Sequence, residues 1–510
     1  MARDNGKLRS LEAIAEVSAE LQRQGKKVVL AHGVFDLLHL GHLRHLEAAR
    51  RCGDVLVVSI SGDRVVHKGP GRPVFPEQLR AEMLAALSIV DYVCICGESG
   101  AGLVIEAVRP NVYAKGAEYR HAQRDPTGRI VTEQALVERH GGKIAFTDEV
   151  TYSSSALLNR FFEIYPPELK TYLDSVRDGK FYTAILAALE RIKSLKVLLV
   201  GECILDEYQY VVPMGKSAKE NIIATRHVET EVFCGGVIAA ANHVAGFCSS
   251  VDVAALLGAQ ESYEDFVKRS LKPNVNLIPF YRDDGPTVRK RRMVDPSYTR
   301  KLFEVCFLAD GPIDLEARRC LDEWLGGNLD RYDVVIVTDF GHGMIDGSTI
   351  DILCRRSPFL AVNAQSNSAN LGYNLVTKYP RADYVCIDQT EARLAARDRW
   401  AGLDKIVEKV LVRDIDCARI AVTAGQQGCL TFHRDEGLQR IPAFTRSVVD
   451  TMGAGDAFLS ITAPLASVEK SMQMVGFVGN AAGALKVSVV GHRQAIDKGE
   501  LIKYITAMLK

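Results

Sequence analysis

The sequence has no surplus of charge of either sign: 63 lysines and arginines stand against 63 aspartates and glutamates in 510 residues. That balance removes the electrostatic reason to expect a general nucleic-acid binder or a membrane-surface protein. It contains no apolar run of eighteen or more residues, and its opening, "MARDNGKLRS", is polar rather than a secretion signal. No membrane partner is therefore expected, and a cytoplasmic location is. Internal repeats and low-complexity segments are also missing. The 12 cysteines are scattered, and the closest pair, Cys94 and Cys96 in "VCICGE", falls in a strand pattern that suits packing better than a metal site or a disulfide.

What is present is more chain than one core can use, so two domains are expected. From 27 to 162 short apolar strands ("VVLAHG", "DVLVVSI", "DYVCIC", "NVYAKG", "KIAFTD") alternate with helical patterns, which predicts an α/β domain with a parallel sheet over residues 1–162. Residues 163–185 carry two prolines and mixed helical segments without a strand, and read as a linker whose second half could be the first helix of the next domain. Alternation resumes at "KVLLVGECILD" and predicts a second α/β domain over 186–510.

In "VVLAHGVFDLLHLGHLRHLEAAR", residues 28–50, a β-branched strand runs into a helix through a turn rich in glycine and histidine. His39 and His42, three apart, share a face at the helix start. Free N–H groups and the helix dipole favour an anion there, Gly33 and Gly41 let it approach the main chain, and imidazoles add donors for developing negative charge. Phosphate chemistry follows. A zinc pair is the alternative, but no third ligand stands at a recognisable spacing and the zincin glutamate is missing.

These residues resemble the motif of the HxGH nucleotidyltransferases, closest to the cytidylyltransferase-like domains that act on glycerol phosphate and heptose 1-phosphate. "SGDRVVHKGPGRPVFPEQLRAEMLAAL", "VYAKGAEY" and "TYSSSALLNR" resemble that family's later motifs, in its order. The resemblance implies a Rossmann-like domain in which His39 and His42 stabilise charge at the α-phosphate and Lys68 neutralises phosphate. His32, Gly33, Phe35, Gly41, Arg80, Ser153, Ser154 and Ser155 would hold the nucleotide, and Asp36, Lys115 and Gly116 the second substrate.

The second half has its own anchor in "VVDTMGAGDAFLS", residues 448–460. Glycines flanking Ala454 permit a turn whose N–H groups converge on an anion at a helix start. A carboxylate on that rim, Asp456, would repel phosphate unless a proton must be taken there, which reads as a general base. This stretch resembles the C-terminal motif of ribokinase-like (PfkB) carbohydrate kinases. "IAVTAGQQG" is similar to their nucleotide segment, implying nucleotide contacts at Thr423, Gly425, Gly428, Gly453, Ala454 and Gly455. "VLLVGECILDEY", "VFCGGVIAAANHVAGF" and "GPTVRKRRMV" imply sugar contacts at Asp206, Gly235, Gly236, Asn242 and Arg289. Glu391 in "IDQTEAR" is placed by the same resemblance at a Mg²⁺ site.

Both halves together resemble the bifunctional heptose 7-phosphate kinase/heptose 1-phosphate nucleotidyltransferases, with the halves in reversed order. That resemblance implies Mg²⁺, ATP for the kinase, ATP or CTP for nucleotidyl transfer, a sugar phosphate as substrate, and a homodimer built through a small β-lid at 207–234. Asp388 stands where the family's NxxE motif has asparagine, Asn363 where it has aspartate, His32 where many relatives have threonine, and "MGKSAKENIIATRHVET" replaces a proline-containing lid. The changed residues leave two other readings open: a glycerol- or alditol-phosphate cytidylyltransferase fused to a polyol kinase, and a second half that senses sugar or nucleotide without turnover.

Overall fold

The computed structural model of the chain describes residues 6–66, 69, 72–120, 129–147, 165–297, 300–309, 311–445 and 448–509. They divide into two units: the chain up to Arg177 joined by the segment from Lys498 onward, and Asp178–Asp497.

In the first unit, β1 (Val28–Gly33), β2 (Val55–Ser61), β3 (Tyr92–Cys96), β4 (Val112–Gly116) and β5 (Lys143–Thr147) form a parallel sheet in the order β3-β2-β1-β4-β5. Alternate residues of one strand serve opposite faces: Val29 and Ala31 enter one core with Leu46 and Val58, while Val28 and Leu30 enter the other with Val104 and Ile105. This explains why the strands read as continuous apolar runs. The strand order reverses between β1 and β4, and in such sheets the ligand crevice opens there, at the carboxyl ends of the strands. Cys94 and Cys96 are both buried with free thiols.

The second unit contains β6 (Lys196–Lys216), β7 (Ile223–Gly235), β8 (Ser250–Gln260), β9 (Val275–Pro286), β10 (Val288–Asp295), β11 (Arg300–Phe307), β12 (Val334–Asp339), β13 (Leu360–Ala364), β14 (Tyr384–Asp388), β15 (Arg419–Thr423), β16 (Cys429–His433) and β17 (Gly437–Ile441). The long β6 serves two surfaces. Its first third pairs in parallel with β8 and β12 inside the buried α/β sheet. Its remainder pairs with β7 and β10, and β10 with β11, as an extension that takes in residues 207–234. That extension exposes Met214 (63%), Ile223 (72%) and Phe303 (55%).

The helical segments of the linker divide between the units: Pro167–Val176 buries Leu169, Leu173 and Val176 in the first unit, and Gly179–Arg191, the helix that its second half could supply to the next domain, buries Ile185, Ala188 and Leu189 in the second. The second unit stops at Asp497 rather than 510. The last helix, Lys498–Leu509, belongs to the first unit. Its Leu501, Ile502, Ile505 and Met508 make one buried stripe, and Arg177 donates two hydrogen bonds to the Met508 carbonyl, at 3.0 and 2.8 Å.

Two candidate active sites

In the first unit the turn after β1 delivers its histidines to the start of the helix Leu40–Arg50. His39 is the N-cap, its Nδ1 accepting from the Gly41 N–H at 3.1 Å, which leaves Nε2 as the N–H donor. The His42 ring stacks on His39 with centroids 4.0 Å apart, and Phe35 meets His42 edge-on. Phe35 itself holds a left-handed φ of 49°, a conformation unusual for a bulky side chain and one that fixes the turn. Burial lowers the His39 pKa, so its ring is a neutral donor at physiological pH.

The other imidazoles are anchored by hydroxyls. His32 at the end of β1 meets Ser59 at 3.1 Å and Ser61 at 3.3 Å, and burial, reinforced by Lys115, pushes its pKa down to about 3. Lys115 and Gly116 end β4 across the crevice, with the Lys115 ammonium 2.8 Å from Glu133.

Two residues expected to touch substrates are committed elsewhere. Arg80 is fully buried and donates to Phe75 O, Val34 O and Asp63 Oδ1 at 2.8, 2.6 and 2.6 Å. It clamps the turn, and its burial keeps the guanidinium away from a ligand in the crevice. Asp36 Oδ1 accepts from the Val74 and Phe75 N–H groups, and only Oδ2 is without a partner among the described residues. Lys68, Ser153, Ser154 and Ser155 lie outside the described residues.

The second unit holds a cavity of about 520 Å³ lined by Asp206, Gly236, Asn363, Glu391, Thr423, Gly425, Gly428, Gly453, Ala454, Gly455 and Asp456. Gly453 caps the helix Ala454–Val468 with φ 73°, aiming the first-turn N–H groups into the cavity. Gly428, at φ 86°, passes so near the Ile441 carbonyl that a side chain there would collide with it. Asp456 lies in the helix's first turn, and Gln365 Nε2 donates to its Oδ1 at 2.8 Å. Burial raises the Asp456 pKa to about 6, with the Gln365 bond opposing the rise.

Elsewhere on the lining Asp206 pairs with Arg292, and His492, which packs against Gly453, holds its Nε2 3.5 Å from Asp206 Oδ2. Lys290 also lines the cavity, is 9% exposed, and makes no hydrogen bond or ion pair among the described residues.

Arg289, expected at the sugar, points away: it pairs with Glu207 and Glu261 and lies over Phe307. The motif found the strand but missed its parity, since Val288, Lys290 and Arg292 share the inward face of β10. Asn242 is likewise absent from the cavity wall. Its amide donates to Ser270 O at 2.8 Å and its carbonyl accepts from Lys272 N at 2.9 Å. Gly235 is packed against the Asp206 carboxylate, where a β-carbon would overlap it. Glu391 reaches the cavity wall, but its oxygens accept from Ser366 N and Asp388 N in a capping box, and burial raises its pKa to about 7. Sequence reasoning missed Lys290, Arg292, Gln365 and His492. Counting alternation inward from Val288 reaches the first two, whereas nothing local marks Gln365 or His492.

Residues 30–160 match the cytidylyltransferase-like family, and residues 367–498 the pfkB family of carbohydrate kinases. The chain thus carries an N-terminal cytidylyltransferase-like domain and a C-terminal pfkB domain. Over its N-terminal part it is 38% identical to the bifunctional protein HldE of Syntrophotalea carbinolica across 164 residues, which are 32% of each protein. It is 41% identical to the bifunctional protein HldE of Methylobacillus flagellatus across 156 residues, 30% of each. The chain therefore spans about a third of the length of these curated relatives. Phosphofructokinase-2 from Escherichia coli, solved in complex with potassium, matches at TM-score 0.50 and 16% identity, covering 61% of this chain and 99% of that one. The likeness supports a ribokinase-like fold for the second unit. Among the described residues no helix is long and apolar enough to cross a membrane.

Proposed function

We propose that the chain is a bifunctional enzyme of nucleotide-activated sugar synthesis. Its second unit transfers phosphate from ATP to the anomeric hydroxyl of a heptose 7-phosphate, giving a 1,7-bisphosphate; once a separate phosphatase has removed the 7-phosphate, its first unit joins a nucleotide from ATP or CTP to the heptose 1-phosphate, releasing pyrophosphate. The observation that carries the kinase half is Asp456, a buried carboxylate held by Gln365 beside the Gly453 nest in one cavity. There Asp456 takes the hydroxyl proton while the sugar oxygen bonds to the γ-phosphorus and ADP leaves. Lys290, a buried cation free to meet an anion, suits an acceptor that already bears a phosphate.

In the first unit a sugar-phosphate oxygen attacks the α-phosphorus and pyrophosphate departs, with His39 and His42 donating to the oxygens that gain charge. No three histidine, cysteine, aspartate or glutamate side chains converge on a metal position among the described residues. Mg²⁺ is usually held by one or two carboxylates together with substrate phosphates and water; on the cavity wall Asp388, with one oxygen in the helix cap through Thr390 N, has an oxygen to offer that role, whereas both Glu391 oxygens are taken by backbone N–H groups. The ion would neutralise phosphate charge when bound.

A sensing role for the second unit is favoured by Glu391, whose oxygens already serve the cap, and by the amide at Asn363. A panel of heptose, hexose and polyol phosphates, following ADP and pyrophosphate release separately on the purified protein, decides between them. ADP release with a heptose 7-phosphate supports the kinase, and binding without turnover leaves only the sensor.

A further inference from the structure

The charges at the crevice of the first unit do not cancel. Lys115, at the end of β4, pairs with Glu133 at 2.8 Å, and Arg129 lies 3.6 Å from Glu500 on the last helix. Each carboxylate therefore has its cation. Lys503 stands three residues beyond Glu500, on the same face of that helix. Its charged neighbours are Arg129, Lys115, Glu133 and Glu500, and its own charge bears on His32 at the end of β1. Among the described residues it makes no hydrogen bond or ion pair. Among the described residues, the crevice where the strand order reverses thus holds one cation, Lys503, that no carboxylate answers, contributed from the far end of the sequence.

We propose that Lys503 is a substrate-binding residue of the nucleotidyltransferase site, contacting a phosphate group of either the nucleoside triphosphate or the sugar phosphate. The inference rests on reading the first unit as a nucleotidyltransferase. A phosphate beside Lys503 supplies the charge that the protein leaves out, and an ammonium–phosphate contact is stronger away from bulk water. The protein alone disfavours the charge: burial, then repulsion from Arg129 and Lys115, lowers the amine pKa to about 8. Glu133 and Glu500 oppose that repulsion, and His32, pushed to about 3, stays neutral throughout the working range. A lysine that merely packs its methylene stem would leave phosphate affinity unchanged when its charge is removed.

The test uses the full chain and two probes titrated calorimetrically, inorganic pyrophosphate for the triphosphate side and heptose 1-phosphate for the sugar side. Lys503→Gln should weaken one probe about tenfold or more, the scale of a charged hydrogen bond, leave the other within about twofold, and leave kinase ADP release within about twofold because that site lies in the other unit. The weakened probe identifies the phosphate. Lys503→Arg should keep wild-type affinity and hold it from pH 7 to 9, while wild-type affinity declines over that range relative to the arginine variant. Should Lys503→Gln fail to fold, this paired pH comparison decides alone. Unchanged affinity for both probes in Lys503→Gln, or identical pH profiles for wild type and Lys503→Arg, overturns the assignment of Lys503 while leaving the transferase reading intact. A wild type that binds neither probe and releases no pyrophosphate from ATP or CTP removes both.

Discussion

Gln365 donates to Asp456 Oδ1 at 2.8 Å, so one oxygen of this carboxylate is occupied by an uncharged donor while the residue lines the cavity. The amide fixes the carboxylate without supplying a cation to hold it ionised, which suits a base that must accept a proton. Asp456→Asn should lower kinase turnover by about 10²-fold or more while ATP and sugar phosphate still bind. The first measurement is calorimetric binding beside coupled ADP release, and an asparagine variant turning over at the wild-type rate removes Asp456 from the chemistry.

The same residue sets a stability expectation of opposite direction. Its folded pKa of about 6 lies above the ordinary 3.8, so between those values the folded state holds a proton that the unfolded chain releases, and stability falls as pH rises. At pH 7 the buried charge costs about 3 kcal/mol. Asp456→Asn should therefore melt higher than wild type at pH 7, with the gap closing towards pH 4, as thermal unfolding at several pH values will show.

Kinase turnover itself should rise with pH through about 6 and level off above, because the base works only when ionised. A profile flat from pH 5 to 8 contradicts the assignment.

His42→Ala should lower pyrophosphate release by roughly 10²–10³-fold, the range for losing one preorganised donor, with kinase turnover within about twofold. Near-normal release would make the stacked His39–His42 pair a structural device of the helix start.

Met214, Ile223 and Phe303 are exposed on the extended sheet of the second unit, and we expect a dimer to bury them. Light scattering should report a dimer at micromolar concentration, and Ile223→Asp should shift it towards monomer by placing a charge in an apolar contact. A wild-type monomer ends this reading.

The sheets were legible because buried parallel strands leave apolar runs that need no long-range knowledge, as in Val28–Gly33 and Val334–Asp339. Glycines and Asp456 were legible for a related reason: a left-handed cap followed by a carboxylate is a local arrangement. What escaped depended on parity or on distant partners. Arg289 and Lys290 are neighbours in "GPTVRKRRMV", yet only the pleat sends one outward and the other into the cavity. Arg80 resembles a phosphate ligand until Val34, 46 residues away, takes one of its donors and burial removes it from the crevice. The helical character of 163–185 was legible, but not that its first apolar stripe, Leu169–Leu173–Val176, joins the core of the first unit.

The placement of the helix Lys498–Leu509 in the first unit imposes an order on biosynthesis. Domains generally fold as they emerge, the N-terminal one first, but here the N-terminal sheet leaves the ribosome without the helix that buries Leu501, Ile505 and Met508. Throughout translation of the second unit the nascent first unit exposes the apolar surface that this helix will cover. Its last structural element arrives only after Asp497 has been added, so the domain begun first is the one finished last.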